Sequence, residues 1–361
     1  MKRIHYLSYL RALACIAIVI LHVVDAAVIL YGDQIGEGTK TASLSVVYCM
    51  MWAVPAFVMV TGALLLPKEK QLTLKDIFRK YILRIVIALL AFSLIFSLFD
   101  TLMNKDGAGA GFLLRGLWNT LTGRGWSHMW YLYLLIGIYL LLVFYRMIAK
   151  HASVKEYRYL LLVYAIFLSV FPLLQMWNVK IGFYIHVSTI YPFFLFAGYG
   201  IAQGIVKIKR PLSILLIIIG AAGIVLSTIW DAHYDRVAYG NLLGYSSIFV
   251  LLLSVGIFAL VKDLKGGLKI KCTKISETVT VYEEKKPGFI GRVLLELDRC
   301  SFGIYLIHMI FVRLFLRYWE INPYELGPTI LVFAGLVVAC LIISYGITLI
   351  LKLIPGVRKI I

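Results

Sequence analysis

Long apolar stretches separated by short polar segments run along the whole chain. An α-helix rises ~1.5 Å per residue, so about 20 apolar residues cross ~30 Å of hydrocarbon. Ten stretches approach this length, and they cover residues 10–30, 42–66, 81–99, 128–148, 157–175, 188–205, 212–230, 242–261, 301–319 and 328–353. The pattern predicts an all-α polytopic membrane protein with about ten transmembrane helices.

The longest polar excursion covers residues 262–300, where polar and apolar residues alternate as in a small β-hairpin. This segment is either a solvated flap or part of a ligand site. Residues 106–112 form a glycine-rich run, but no strand of a βαβ unit precedes it, so we interpret it as a flexible loop rather than a nucleotide fingerprint. We therefore expect a single transmembrane domain over 1–361 with one cytoplasmic loop excursion.

Composition and charge support this class of protein. Hydrophobic residues make up 61% of the chain and the mean hydropathy is +0.91. Of the 36 Lys and Arg residues, 28 fall in the two termini and in alternate connecting segments, which predicts that both termini are cytoplasmic. The net charge of +18 thus reflects mainly topology and gives no indication of nucleic-acid binding, although an anionic ligand on the inner face stays open. The five cysteines lack disulfide or metal spacing, so no metal site is predicted.

The first stretch carries Arg11 and His22, which are 11 residues apart. On a helix this spacing corresponds to about 1,100° of rotation and about 16 Å of rise, so both side chains point the same way. Ionisable groups at membrane depth normally face a protein interior or a cavity, which indicates a functional site. The alternative is that Arg11 snorkels to the inner interface and His22 only packs.

A second histidine, His308, lies in the ninth stretch with Tyr305 one turn before it. Counted from the inner ends of their stretches, His22 and His308 differ in depth by about 6 Å, so we predict that they share the middle of the membrane. The fourth stretch begins at its outer end with a histidine and two aromatic residues, His128, Trp130 and Tyr131. An aromatic belt accounts for the Trp and the Tyr but not for the His.

In this order, these segments resemble the acyltransferase 3 family of membrane-bound O-acyltransferases that modify bacterial surface sugars. The family's Arg-x10-His element falls on Arg11 and His22. Its other elements, in chain order, fall on Pro55, Phe57, Thr61 and Gly62, on Arg79, Lys80 and Arg84, on His128, Trp130 and Tyr131, and on Ser301, Gly303, Tyr305 and His308. Two positions depart from the pattern, since Thr61 replaces the usual serine and no proline follows Arg84. The resemblance extends from residue 1 to about 350.

The resemblance implies a multi-pass protein of the bacterial inner membrane, with acyl-CoA, commonly acetyl-CoA, as co-substrate and no permanently bound cofactor. It implies an acceptor hydroxyl on an extracytoplasmic or lipid-linked glycan. Guanidinium groups suit phosphates, so we expect donor binding by Arg11, Arg79 and Arg84, with Tyr305 beside the CoA arm. The family's appended extracytoplasmic domain is not seen in this sequence, so we expect transfer to be completed within the membrane unit.

Ester formation needs a base that removes the proton of the acceptor hydroxyl, and His22 is suited to this because histidine titrates near working pH. Asp25, one turn further on, either orients the other ring nitrogen, as carboxylates do in hydrolytic triads, or caps the outer end of the helix. His308 is expected to position the acyl group or polarise its carbonyl. The outer residues, His128, Trp130 and Tyr131, are expected to bind the acceptor.

Two other classes of protein fit parts of this pattern. A transporter or flippase without chemistry would use the same polar residues to line a translocation path. A transmembrane scaffold would leave Arg11 and His22 unexplained. CoA release in the presence of a glycan acceptor distinguishes the acyltransferase from both.

Overall fold

The computed structural model describes residues 4–103, 111–174, 189–234, 242–266, 271–276, 279–283 and 287–361. Thirteen helices lie in these ranges: α1 (His5–Tyr31), α2 (Glu37–Met50), α3 (Ala53–Leu65), α4 (Leu74–Met103), α5 (Gly111–Leu121), α6 (Trp130–Leu140), α7 (Leu142–His151), α8 (Val154–Leu173), α9 (Tyr191–Ala202), α10 (Arg210–His233), α11 (Ile248–Gly266), α12 (Phe289–Tyr318) and α13 (Thr329–Leu351). Two antiparallel strands, β1 (Lys271–Ser276) and β2 (Val279–Glu283), lie between α11 and α12. The strands form the small hairpin that the alternating pattern predicts. Most of the glycine-rich run, 106–110, lies outside the described residues.

The helical, multi-pass character is confirmed, but the number of spans is smaller than the apolar stretches predict. Seven helical segments of the described chain are long and apolar enough to cross a membrane, taking α2 and α3 as one. Helices α6 and α7 form an eighth if their 54° bend is counted within one span. Helix α9 has only 12 residues, and α11 ends in a charged turn, so neither meets the same criteria. The count of about ten and the side on which the termini lie stay predictions.

Local sequence sets where several of these helices begin. Helix α4 begins after Thr73, whose side chain accepts from the Asp76 backbone N–H while the Asp76 carboxylate accepts from the Thr73 backbone N–H. Ser153 and Glu156 form the same reciprocal arrangement at the start of α8. Each of these two capping boxes, as such reciprocal arrangements are called, satisfies backbone N–H groups that the start of a helix otherwise leaves without acceptors. The helices therefore start at polar loops, between the apolar stretches.

Helices α1 and α12 pack side by side and run in the same direction. Cys15 Sγ donates to the backbone oxygen of Ser301 over 3.7 Å, and Tyr31 Oη donates to that of Leu316 over 2.6 Å. The partners are separated by 286 and 285 residues, so the offset stays nearly constant along both helices. A constant offset requires parallel helices, which agrees with the prediction that the first and ninth stretches cross in the same direction.

Helices α3 and α9 cross at two glycines. A Cβ on Gly62 would lie 1.8 Å from the Leu195 backbone oxygen, and a Cβ on Gly198 would lie 2.1 Å from that of Met59. Only residues without a side chain allow backbones to approach this closely, as in other small-residue crossings of membrane helices. Packing therefore accounts for Gly62, and the crossing holds the neighbouring Thr61 at the cavity described below.

Candidate active site

Two histidines from the parallel helices meet in the interior of the bundle. His22 Nδ1 and His308 Nε2 are 2.9 Å apart, and their ring centroids are separated by 5.1 Å. His308 is fully buried. The contact confirms that His22 and His308 lie at the same depth along α1 and α12, as the spacing in the sequence predicts.

The hydrogen bonds of this pair determine which nitrogens carry protons. His308 Nδ1 lies 3.0 Å from the Ile304 backbone oxygen, which can only accept, so His308 Nδ1 donates. With both rings neutral, His308 Nε2 is then an acceptor and His22 Nδ1 donates to it. The remaining nitrogen, His22 Nε2, keeps its lone pair. The two hydrogen bonds that link Ile304, His308 and His22 therefore leave His22 Nε2 able to accept a proton.

A third histidine lies against this pair. The ring of His128 is centred 6.2 Å from that of His22 and 5.6 Å from that of His308. His128 is 2% exposed, and its ring also lies beside the backbone of Leu306. The third imidazole is therefore placed where it can act together with His22 and His308.

Tyr305 connects this histidine cluster to the backbone around it. The Tyr305 hydroxyl donates to the His128 backbone oxygen, and its ring centroid lies 5.6 Å from that of His128 and 6.2 Å from that of His308. Tyr305 belongs to α12 and His128 to the turn before α6, so this hydrogen bond holds the turn on α12, which itself packs on α1. The histidine cluster, defined as His22, His128 and His308, is held by three separate parts of the chain.

Arg11 is paired with a carboxylate that the sequence analysis does not identify. Its Nε lies 2.7 Å from Asp298 Oδ1, and its Nη2 donates to Asp298 Oδ2 over 3.0 Å. The Asp298 side chain is 2% exposed and the Arg11 side chain is 37% exposed. Such a fork-shaped pair fixes the guanidinium plane. The spacing of the sequence could have identified Asp298, because it precedes His308 by 10 residues, much as Arg11 precedes His22 by 11.

A cavity with a volume of about 320 Å³ lies beside Arg11, and it is called the inner cavity because the predicted topology puts Arg11 on the inner side. Its basic lining is Arg11, Lys70, Lys80 and Arg84. The rest of the wall is apolar and aromatic, and includes Thr61, Tyr81, Tyr131, Tyr139, Phe302 and Tyr305. A cavity that combines cations with a largely apolar and aromatic wall suits a ligand with an anionic head and a less polar arm. Tyr305 belongs to the wall and is the residue through which the cavity approaches the histidine cluster.

The outer cavity, with a volume of about 260 Å³, lies on the other side of the cluster. Its wall includes Phe96 and Trp126, whose rings are stacked at 4.2 Å with an interplanar angle of 8°. The same rings lie 5.4 Å and 6.2 Å from the His128 ring, measured between centroids. The outer cavity therefore approaches the cluster through Phe96 and Trp126.

The two cavities are stacked along α4 and α12. On α12 the inner cavity is lined by residues 301, 302 and 305, whereas the outer cavity is lined by 313, 317 and 318. His308 lies between these two sets. On α4 the same order holds, with 80–85 at the inner cavity and 93–100 at the outer one. The histidine cluster thus lies between the two cavities along both helices.

Several predicted site residues lie elsewhere than the sequence analysis expects. His22 Nδ1 is hydrogen-bonded to His308 and not to Asp25. Of the two roles considered for Asp25, orienting the His22 ring is therefore wrong for the described chain, and His308 takes that role. Tyr131 lines the inner cavity with Arg11 rather than an outer mouth. Arg79 is exposed and does not line the cavity, whereas Arg84 does and also donates from Nε to the Ile360 backbone oxygen over 2.7 Å.

Trp130 lies at the edge of an aromatic group away from both cavities. Its ring centroid is 5.3 Å from that of Tyr245 and 6.0 Å from that of Tyr191, and 36% of the residue is exposed. The expected acceptor group, His128, Trp130 and Tyr131, is therefore divided among three places. Only His128 joins the histidine cluster.

The described residues do not form a metal site. No group of three or more His, Cys, Asp or Glu side chains in those ranges has the geometry to hold an ion. The three clustered rings instead contact one another edge to face, and one pair is joined by a direct N···N hydrogen bond. The arrangement fits acid–base chemistry by the rings themselves.

The described chain thus combines several membrane-spanning helices with a histidine pair that lies between two cavities. The family model described as an acyltransferase domain, that of acyltransferase 3, matches residues 4–349, nearly the whole chain. The chain therefore belongs to this family of membrane acyltransferases. No curated protein and no solved structure matches the chain significantly.

Proposed function

We propose that the protein transfers an acyl group, commonly acetyl, from cytoplasmic acyl-CoA to a hydroxyl of an extracytoplasmic or lipid-linked glycan. The observation that carries the proposal is the His22–His308 hydrogen bond, which leaves His22 Nε2 as a proton acceptor between two chambers. Ester formation from a hydroxyl needs such a proton acceptor beside the reacting groups.

The inner cavity is the proposed donor chamber. CoA carries phosphates at one end and a thioester at the end of a long arm. Arg84, Lys70 and Lys80 line the cavity near Arg11, and the aromatic wall leads towards Tyr305. Arg11 is about 16 Å of helix rise from His22, a distance that an extended arm can cover. Phosphates bound at the basic residues would therefore direct the thioester to the histidine cluster.

His22 is the proposed general base. As the acceptor oxygen attacks the thioester carbonyl, His22 Nε2 takes the hydroxyl proton, the new C–O bond forms and the C–S bond breaks. The leaving thiolate then takes that proton from His22. His308 accepts from His22 Nδ1 and so holds the ring in the reactive tautomer. His128, whose ring is centred 6.2 Å from that of His22, is placed to bind the acceptor hydroxyl or the developing oxyanion.

The test compares His22→Ala with His151→Ala, which removes an exposed histidine at the end of α7. Each variant is expressed in a strain that lacks the gene, and the O-acetyl content of the surface glycan is measured by NMR. Loss of a general base typically reduces rate ~10²–10⁴-fold. We expect O-acetylation to disappear in His22→Ala and to persist in His151→Ala. Normal acetylation by a folded His22→Ala protein would contradict the assignment.

Sidedness tests the two-chamber arrangement separately. Sealed vesicles of known orientation receive acetyl-CoA labelled in the acetyl group, either outside or inside. Label should enter glycan only when acetyl-CoA contacts the cytoplasmic face, and the product should appear on the opposite face. Equal use of acetyl-CoA from both faces, or a product confined to the cytoplasmic side, would favour a different arrangement in which another protein moves the product.

A further inference from the structure

The outer cavity is strongly basic, although its side of the protein is predicted to be poor in basic residues. Four arginines line it, Arg115, Arg124, Arg313 and Arg317, against one carboxylate, Asp100, which leaves a formal charge of +3. The predicted topology places only eight of the 36 Lys and Arg residues on the outer side, and half of these eight line this cavity. Positive-inside bias disfavours basic residues there, so topology does not explain them.

One of the four arginines is a fixed part of the wall. Arg313 Nη1 lies 2.9 Å from Asp100 Oδ1, and its guanidinium carbon lies 3.8 Å from the centre of the Trp126 ring. Trp126 Nε1 donates to the other oxygen of Asp100 over 2.8 Å, and Phe96 stacks on the opposite face of the indole. Asp100 is thus fully engaged by Arg313 and Trp126, so it does not neutralise the other three arginines.

The three remaining arginines, Arg115, Arg124 and Arg317, form no ion pair within the described chain. They come from α5, from the turn after it and from the end of α12, yet they line one space. Arg317 is four residues beyond Arg313, a spacing at which like charges repel. All three are exposed, so water screens their mutual repulsion, but no carboxylate of the described chain offsets their charge. The three guanidinium groups therefore line a basic concavity that attracts anions.

The local backbone supports this convergence. Gly116 packs α5 on α4, since a Cβ there would lie 3.1 Å from the Leu94 side chain and 3.3 Å from the Ser93 backbone oxygen. Gly123 adopts φ +70°, a left-handed conformation that glycine tolerates, immediately before Arg124. Asn119 lies one turn after Arg115 on α5 and also lines the cavity. The arginines are therefore placed by a packed helix and a tight turn.

We infer that the outer cavity binds an anionic group of the acceptor glycan, a phosphate or a carboxylate, and holds a neighbouring hydroxyl towards His128. This inference rests on the proposed function for the identity of the outer ligand as the acceptor. Guanidinium groups bind both kinds of oxyanion through paired hydrogen bonds. Phe96 and Trp126 form the wall between the cavity and His128, so a sugar ring anchored by its anion would lie against these two rings, with the His128 ring directly behind them.

Binding is measured on the full chain in phosphatidylcholine nanodiscs by saturation-transfer difference NMR. The probes are glucose 1-phosphate, glucuronate and glucose, at constant ionic strength because salt screens exposed charges. We expect binding of at least one charged sugar and none of glucose at equal concentration. The charged sugar that binds identifies phosphate or carboxylate as the preferred anion. Equal signals from glucose and both charged sugars would overturn the inference.

Matched substitutions locate the anion. Arg115→Gln, Arg124→Gln and Arg317→Gln should each weaken binding of the charged sugar about tenfold, the effect of removing one charge-assisted hydrogen bond. Lys40→Gln, which removes a basic residue of the same predicted side outside the cavity, should leave binding unchanged. Unchanged affinity in all three arginine variants would overturn the inference. Asp100 and Arg313 are kept intact because they hold the wall.

Two further arms separate the possible explanations. In nanodiscs that contain phosphatidylglycerol, persistence of the sugar signal supports a glycan anion, whereas its loss would assign the cavity to a lipid head group and overturn the inference. In the His22→Ala protein, charged-sugar binding should persist, because His22 lies outside the cavity lining. If the charged sugar binds but the His22→Ala protein keeps full acyl transfer, only the proposed function is contradicted. If the charged sugar does not bind and the wild-type protein transfers acyl groups normally, only this inference is contradicted.

Discussion

Removing Arg11 from the Arg11–Asp298 ion pair should destabilise the fold more than removing Asp298. The Asp298 side chain is 2% exposed, whereas the Arg11 side chain is 37% exposed. Removing one partner of a buried pair leaves an uncompensated charge and costs ~3–5 kcal/mol. For Arg11→Met we expect about 3 kcal/mol, near the lower end of that range, since solvent at Arg11 already screens the pair. This corresponds to roughly a hundredfold change in the folding equilibrium.

Asp298→Asn should cost less, about 1–2 kcal/mol, because the unpaired charge is then on Arg11, which can reach water. In the double variant no buried charge is left, so its cost should be about 1 kcal/mol and the coupling about 3–4 kcal/mol. Unfolding in mixed micelles of increasing SDS content, followed by circular dichroism, measures the three free energies. The order of costs, largest for Arg11→Met, is the signature of a buried acid with a half-exposed base.

The matched control lies on the same helix. Arg299 and Glu296 form an ion pair at 2.9 Å with side chains that are 64% and 42% exposed. Exposed pairs of this kind contribute ~0–1 kcal/mol, so Arg299→Met should change stability little. Equal costs for Arg11→Met and Asp298→Asn, or a coupling below about 0.5 kcal/mol, would refute the reasoning. The folded double variant should also bind acetyl-CoA more weakly, as the fork at the inner cavity is lost.

Three further outcomes follow from the site and the packing. His308→Ala should lower turnover about 10²-fold with the KM for acetyl-CoA nearly unchanged, since the tautomer of His22 is no longer fixed; steady-state kinetics test this, and unaltered turnover contradicts it. Arg84→Gln should raise the KM for acetyl-CoA about tenfold, whereas Arg79→Gln should not, because of these two residues only Arg84 lines the inner cavity. Equal effects of the two substitutions on the KM would show that the inner cavity does not bind the donor. Gly62→Ala should destabilise the fold by about 3 kcal/mol because its Cβ would overlap the α9 backbone, and an unchanged thermal unfolding midpoint would disprove this close crossing.

The sequence alone determines much of the architecture. Apolar length predicts the helices, and the alternation within 262–300 predicts the hairpin formed by β1 and β2. Helical periodicity places Arg11 and His22 on one side of α1, and both do contact α12. These features depend on spacing within one segment, which the sequence records directly. The number of spans is less well determined, because a bend or a short helix such as α9 changes it without changing composition.

Partner choice is what only the tertiary structure decides. Asp25 is the carboxylate next to His22 in sequence, yet His308 binds His22 because the parallel packing of α1 and α12 brings it there. The same packing brings Asp298 to Arg11. The arginines of the outer cavity are scattered over 200 residues of sequence and meet only because α4, α5 and α12 converge. Contacts between helices depend on their relative rotation and register, and these are set by side-chain packing over the whole bundle, whereas helix formation itself is local.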